Sequence, residues 1–198
     1  STFAQKSPGV HTGYEYSRAD NPTRTALEHA LESIENGARG LAFSSGLAAI
    51  DCVLRLLKPN DEVIAMDDLY GGTYRLFTRF YQDLGIKFHF INMNDLELFQ
   101  SKINANTKLV WIETPTNPLM KLADIEAIAK ITKQNNILFA VDNTFATPYL
   151  QKPLDLGADI VMHSATKYLK GHSDVNTAPL IIKENQLHKQ LHLPQHAT

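Results

Sequence analysis

The sequence predicts an α/β domain: a mainly parallel sheet covered by helices on both faces, a three-layer α/β/α arrangement. Three observations lead there. Short apolar runs recur along the 198 residues, amphipathic helical stretches separate them, and residues suited to chemistry stand where the runs end. Strands buried on both faces read as continuous apolar runs, and helical crossovers between them impose parallel pairing.

Taken in order, residues 1–22 are rich in Gly, Ser, Tyr and charge, and read as an extended arm outside the sheet. The domain then occupies 23–198. Asn21-Pro22 is a cap followed by proline at the first helical position. The helix it opens sets Leu27, Ala30, Leu31 and Ile34 on one face and stops at Gly37. The first strand is 41–43, and a helix over 45–57 follows. Strands at 62–66, 87–91 and 108–112 alternate with helices at 73–84, 95–103 and 124–134. Two further strands lie at 137–141 and 159–162. Near the end, 187–193 reads as a short helix stopped by Pro194. There is no internal repeat or low-complexity tract.

Composition narrows the function classes. At 43% hydrophobic, the chain can bury one good core. A net charge of -2, with 20% charged residues and no basic block, gives no pull toward nucleic acid or membrane surfaces. No apolar stretch approaches the about 20 residues of a membrane span, and residues 1–10 lack a signal-peptide layout. The single Cys52 excludes an internal disulfide and suits a reducing compartment; within its helical pattern it reads as an inert core thiol. The expectation is a cytoplasmic protein. His188, His192 and His196 recur every four residues, but Pro194 interrupts them and no Cys or carboxylate completes the set. They read as a solvated helix face, and no metal is expected.

In open α/β sheets, ligands bind outside the carboxyl ends of the strands. Lys167 stands there, in His163-Ser164-Ala165-Thr166-Lys167-Tyr168, after the run 159–162. A lysine buried at a strand end must be paired, neutral or covalently used, because a buried, unpartnered ammonium costs several kcal/mol. A desolvated lysine forms Schiff bases with aldehydes, including that of pyridoxal phosphate. The plainer reading is a side chain that snorkels out of a strand-to-loop junction. Asp142 directly follows the run 137–141, where it would either pair with a pyridine nitrogen or cap the Asn143-Thr144 turn. Ser44-Ser45-Gly46-Leu47 opens a helix whose free N–H groups suit a phosphate or merely turn the chain. The sequence holds neither G-x-G-x-x-G nor G-x-x-x-x-G-K-[ST], which disfavours a nicotinamide-binding domain. Tyr70, before Gly71-Gly72, would lay its ring over a flat cofactor. Asn117, between Pro115 and Pro118, would donate to a phenolate oxygen. Each residue alone has a structural explanation; their convergence on one sheet edge favours a single cofactor site.

Together these segments resemble the Cys/Met-metabolism family of pyridoxal-phosphate enzymes, the trans-sulfuration enzymes that include cystathionine gamma-synthase and gamma-lyase. The likeness also rests on Tyr14-Glu15-Tyr16-Ser17-Arg18, Asn21-Pro22-Thr23-Arg24, Asp68-Leu69-Tyr70-Gly71-Gly72-Thr73 and Glu113-Thr114-Pro115-Thr116-Asn117-Pro118, all in family order. The resemblance implies the PLP-dependent transferase-like large domain of aspartate aminotransferase fold type I. It implies that Lys167 forms the imine with the cofactor and shuttles protons, that Asp142 pairs with the ring nitrogen, and that Tyr70 stacks and helps deprotonate the amine. Ser45, Gly46, Leu47, Ser164 and Thr166 would hold the phosphate, and Asn117 the ring oxygen. Tyr16 and Arg18 would reach the phosphate of a neighbouring subunit, implying a homodimer or homotetramer with shared sites. The implied activity is at the gamma carbon of homoserine-type amino acids. It would be synthase chemistry from a homoserine ester and cysteine to cystathionine, or the lyase reaction. Methionine gamma-lyase or cystathionine beta-lyase activity is the alternative, as is a chain that binds cofactor or oligomerises without turnover. Family members carry a C-terminal domain that this chain is expected to lack, and with it the arginine for the substrate carboxylate. Two local departures stand out. Lys170 would bring a second cation near Lys167, and Pro179 in Asn176-Thr177-Ala178-Pro179 suits a sheet edge or strand end.

Overall fold

The structure, a computed structural model, describes residues 2–197, and side chains as far as residue 195. His196, the third histidine of the series, therefore has its side chain outside the described residues. The arm is a hairpin rather than an extended segment: Pro8-Gly9 turns β1 (Gln5–Ser7) back onto β2 (Val10–His11), and Thr2 bridges Tyr16. Its two strands form a sheet of their own, separate from the main one.

The domain runs α1 (Pro22–Glu35), β3 (Arg39–Phe43), α2 (Gly46–Leu54), β4 (Glu62–Met66), α3 (Gly71–Leu76), β5 (Lys87–Ile91), α4 (Leu96–Lys102) and β6 (Thr107–Glu113). It continues with α5 (Ile125–Gln134), β7 (Leu138–Asp142), α6 (Thr147–Leu150), β8 (Ile160–Met162), β9 (Ala178–Ile182) and α7 (Asn185–Ala197). Helix starts follow the caps in the sequence. Asn21, Ser45, Asp95 and Asp124 each accept the N–H three residues on, from Arg24, Ala48, Leu98 and Ala127. No described helix is long and apolar enough to cross a membrane.

The seven-stranded sheet has the order β3-β9-β8-β7-β6-β4-β5. From β8 to β5 every pair is parallel, while β9 runs antiparallel to both neighbours. After β4 the chain adds β5 on one side and β6 on the other, so a topological switch point lies between the ends of β4 and β6. The core passes through the sheet, where Leu109, Val110, Trp111 and Ile112 of β6 are all fully buried. Phe77 stacks on Phe88 at 4.7 Å and meets Trp111 edge-on at 6.1 Å.

Four further expectations are corrected. Strand β9 is absent from the strands the sequence predicts. Pro179 lies inside it at its second position, opposite His163, where β8 has already ended; its carbonyl accepts the His163 N–H at 3.2 Å, and its absent N–H falls beyond the ladder. The helix over 73–84 changes at Phe77–Tyr81 into a π-helical turn, which lets Phe77 and Tyr81 both point inward. The helix at the end does not stop at Pro194 but runs through it. There the Gln195 amide ties the last turn to the Ala42 carbonyl at 3.0 Å and the Glu28 carboxylate at 3.1 Å.

The fourth correction concerns α1. Of its expected apolar face only Leu31 is buried, while Leu27, Ala30 and Ile34 are exposed. The inward face is largely carboxylate: Glu28 accepts the Ala42 N–H and Glu32 the Gly40 N–H, each at 2.8 Å. These are the outward N–H groups of the edge strand β3, which need acceptors if the edge is not to pair with another chain. Edge protection overrides hydrophobic periodicity here.

Candidate active site

The strand ends converge on a pocket of about 220 Å³ lined by Ser45, Gly46, Leu47, Ile50, Tyr70, Glu113, Asn117, Asp142, Thr144, Phe145, Met162, Ser164, Thr166, Lys167 and Asn176. The nine sequence-predicted residues of this chain's own sheet edge thus meet in one place. Tyr16 and Arg18 do not join them. They remain exposed on the arm, with the Arg18 guanidinium 4.9 Å from the centre of the Tyr16 ring.

One wall is the start of α2. Ser45 caps the helix by accepting the Ala48 N–H at 3.2 Å, which leaves the earlier N–H groups of Gly46 and Leu47 free of its side chain. A Cβ at Gly46 would stand 3.1 Å from Met162 Cε and 3.7 Å from Ser164 Cβ, so glycine permits the helix to approach the end of β8 this closely. Ser164 in turn donates its N–H to Thr144 Oγ1 at 2.8 Å. Thr166 Oγ1 accepts the Thr177 N–H at 3.1 Å and faces the Thr177 carbonyl at 3.5 Å.

Asp142 ends β7. It does form the Asx turn with Thr144, accepting both the Thr144 N–H at 3.0 Å and the Thr144 hydroxyl; both bonds fall on Oδ1. Behind it lies a fully buried pair, His163 Nε2 with Glu35 Oε1. The same carboxylate accepts from Asn143 Nδ2 at 3.3 Å, and Asn143 is locked to Gln151 by bonds of 2.8 and 2.9 Å. Glu35 Oε2 and His163 Nδ1 are buried without a hydrogen-bond partner. Burial raises Asp142 above the usual carboxylate range, opposed first by the Thr144 hydroxyl, then by its N–H, then by His163.

Tyr70 precedes α3 and is 47% exposed, open at the mouth of the pocket. A Cβ at Gly72 would stand 2.3 Å from the Tyr70 ring, so this glycine makes room for the tyrosine itself. Asn117 sits between two cis X-Pro bonds. Its loop is tied down by Asp68, whose carboxylate accepts the Thr116 hydroxyl and the Leu119 N–H at 3.0 Å.

Lys167 differs from expectation. Its side chain is exposed rather than buried, because β8 ends at Met162 and the lysine lies a turn further on; its N–H reaches the Ser164 carbonyl at 3.0 Å. Lys167 nevertheless lines the pocket. Lys170 is not a second cation in the pocket, since its ammonium turns to Asp174 at 3.8 Å and both side chains are about half exposed. His188 and His192 are half-buried, with rings 5.0 Å apart, rather than solvated; burial and then His192 push His188 down. Cys52 is buried, and its thiol is pushed up to about 12, mainly by that burial.

The sequence reading assigned no role to Glu113, Thr144, Phe145 or Asn176. For Glu113 the signal was present: like Asp142, it is an acid directly after a buried apolar run. It accepts the Tyr70 N–H at 2.8 Å and is 4% exposed. Desolvation first, then the Asp142 charge, push it up to about 8.

Known proteins share this architecture. A cystathionine gamma-synthase/O-acetylhomoserine (thiol)-lyase of Bacillus subtilis is 52% identical over 98% of this chain and 52% of its own length. A cystathionine beta-lyase of Coxiella burnetii is 50% identical over 100% of this chain and 51% of its own. A cystathionine gamma-lyase of Lactobacillus plantarum, solved in complex with L-serine, superposes with a TM-score of 0.97 at 45% identity, covering 100% of this chain and 51% of that one. The chain therefore spans about half the length of these relatives. The family model described as Cys/Met metabolism PLP-dependent enzyme matches residues 1–198, and with relatives at this identity the chain belongs to that family.

Proposed function

We propose that the pocket holds pyridoxal phosphate for trans-sulfuration chemistry at the gamma carbon of a homoserine-type amino acid. The observation that carries this reading is the convergence of an amine, a buried acid pair and a capped helix start in one pocket. That donor set fits the group: an amine for the aldehyde, an acid for the ring nitrogen, and N–H groups for the phosphate. When bound, the cofactor supplies an electron sink for charge developing at the substrate's alpha carbon.

The chain's own residues do the rest. Lys167 would hold the cofactor through its aldehyde and, with its amine free, would take the substrate's alpha proton on Nζ. Asp142 has Oδ1 occupied by Thr144, so Oδ2 is the oxygen that would meet the ring nitrogen. Tyr70 would cover the ring and take a proton from the substrate amine, and Asn117 would donate to the ring oxygen. Ser164 and the N–H groups of Ser45, Gly46 and Leu47 bind the phosphate. Thr166 joins them by giving up its 3.5 Å contact to Thr177, the weakest of its bonds. Tyr16 and Arg18, exposed on the hairpin, complete the phosphate site of a neighbouring subunit, so the working form is a homo-oligomer.

The substrates are a homoserine ester with cysteine, or cystathionine itself. Relatives at 50 to 52% identity carry synthase, thiol-lyase and beta-lyase names, so likeness does not separate the directions. A second reading is a chain that binds cofactor and assembles without turnover. Adding pyridoxal phosphate should give a visible absorbance band that Lys167→Ala abolishes; no band in the wild type sinks the cofactor reading. Assays of cystathionine formation and breakdown then separate synthase, lyase and inert scaffold.

A further inference from the structure

Glu113 and Asp142 are register partners at the carboxyl ends of the adjacent parallel strands β6 and β7. Register partners place their side chains on the same face of a sheet as near neighbours. Both are buried, at 4% and 5% exposure, and both line the pocket. Among the described residues, neither forms an ion pair with a lysine or arginine. Two such acids cannot both ionise cheaply, and the better-stabilised one takes the charge.

The groups around the pair decide which one. Asp142 receives the hydroxyl and the N–H of Thr144, with His163 behind it on the far side of the strand end. Glu113 receives only backbone N–H groups, from Tyr70 and Asn117, and Asp68 adds a further negative charge from the end of β4. Glu35 faces His163 rather than the pair, and Lys167 lines the same pocket. The stronger donors and the helpful neighbour all belong to Asp142.

We propose that Glu113 is the proton-holding partner of Asp142. It keeps its proton at neutral pH, so that Asp142 alone meets the ring nitrogen of the cofactor, and its ionisation sets the alkaline limit of the site. This rests on the cofactor reading above and adds to it a residue with a distinct charge state. A single Asp142 charge is cancelled by a single protonated ring nitrogen. When Glu113 releases its proton to solvent, a second negative charge enters the pocket.

Two measurements test this. In the cofactor-free chain, infrared difference spectra should show one protonated carboxyl lost with a midpoint about 8. That loss should be missing in Glu113→Gln, and it should move to lower pH in Asp142→Asn, where the like charge is gone. A Glu113 already ionised at neutral pH would show neither change. With pyridoxal phosphate added, the alkaline step in the visible spectrum should disappear in Glu113→Gln. An unchanged carboxyl signal in Glu113→Gln, no protonated carboxyl at neutral pH in the wild type, or an unmoved midpoint in Asp142→Asn overturns the proposal. If the wild type takes up no pyridoxal phosphate, the cofactor reading falls, while the infrared arm still decides where the proton resides. Should Glu113→Gln not fold, Asp142→Asn carries the infrared comparison by itself.

Discussion

Two glutamates stand at opposite ends of the sheet and are treated oppositely. Glu62 begins β4 at the amino edge, and Glu113 ends β6 at the carboxyl edge. Their exposures, 6% and 4%, are nearly equal, so cover alone does not separate them. Glu62 accepts from Asn104 Nδ2 at 2.8 Å, faces His89 Nε2 at 2.7 Å and has the Lys87 ammonium 3.7 Å away. The Asn104 hydrogen bond first, then His89, hold it below the usual carboxylate range. Desolvation opposes them and is outweighed. Glu113 has no cationic partner and a second acid beside it, and is pushed up to about 8. An end whose charges are all answered serves the fold. An end whose acids lack a cation suits a ligand that brings one.

The comparison can be broken at several strengths. The largest stability effect belongs to Glu35→Ala, which strips His163 and Asn143 of their buried partner behind the pocket. Removing one member of a buried pair costs about 3–5 kcal/mol, readable as a lower urea midpoint with unchanged slope. Next comes the pH dependence of the cofactor-free chain. The folded value of Glu113 lies above the unfolded one, near 4.5. Its contribution is full below that pH and lost as pH rises to about 8. Stability should fall across this window by on the order of a few kcal/mol, and Glu113→Gln should flatten the slope; an equal slope in the variant would show that another group titrates.

Gly72→Ala is a smaller perturbation. Its methyl would stand 2.3 Å from the Tyr70 ring, so the tyrosine must swing away. Overpacking of this kind costs about 1–3 kcal/mol, and pyridoxal phosphate should bind more weakly than its stability loss alone explains. The smallest effect is Glu62→Gln, worth about 1 kcal/mol or less. Its sign with pH is opposite to that of Glu113: the lowered Glu62 stabilises above the unfolded value of 4.5 and loses that contribution as pH falls. Thermal melts between pH 3 and neutrality, at about the ionic strengths where surface charges are screened, would expose it.

The parts legible in the sequence were those with local causes. Caps at Asn21, Ser45, Asp95 and Asp124 mark helix starts because the capping side chain and its N–H are three residues apart. Strands β4, β6, β7 and β8 were legible as buried apolar runs; β5, also expected to be buried, is an edge strand only partly covered. The pocket followed from the rule that ligands sit at the carboxyl ends of such strands. What escaped depended on distant neighbours. Strand β9 joins β3, some 140 residues earlier in the chain by its Ala42–Pro179 register, and its local sequence looked unfit for a sheet interior. The polar inward face of α1 makes sense only once β3 is known to be an edge. The exposure of Lys167 escapes the sequence because the end of β8 at Met162 cannot be read from an apolar run continuing into a turn. Glu113 met the criterion that singled out Asp142, but a pairing register was needed to see that the two acids touch one pocket.

The most direct test is covalent. Reducing the mixture of chain and pyridoxal phosphate with borohydride fixes the cofactor on whichever lysine it bonds, and peptide mass mapping then locates it. The expected result is stoichiometric label on the peptide containing Lys167. Label spread over exposed lysines such as Lys130 and Lys87, with none at Lys167, would contradict the assignment of this pocket.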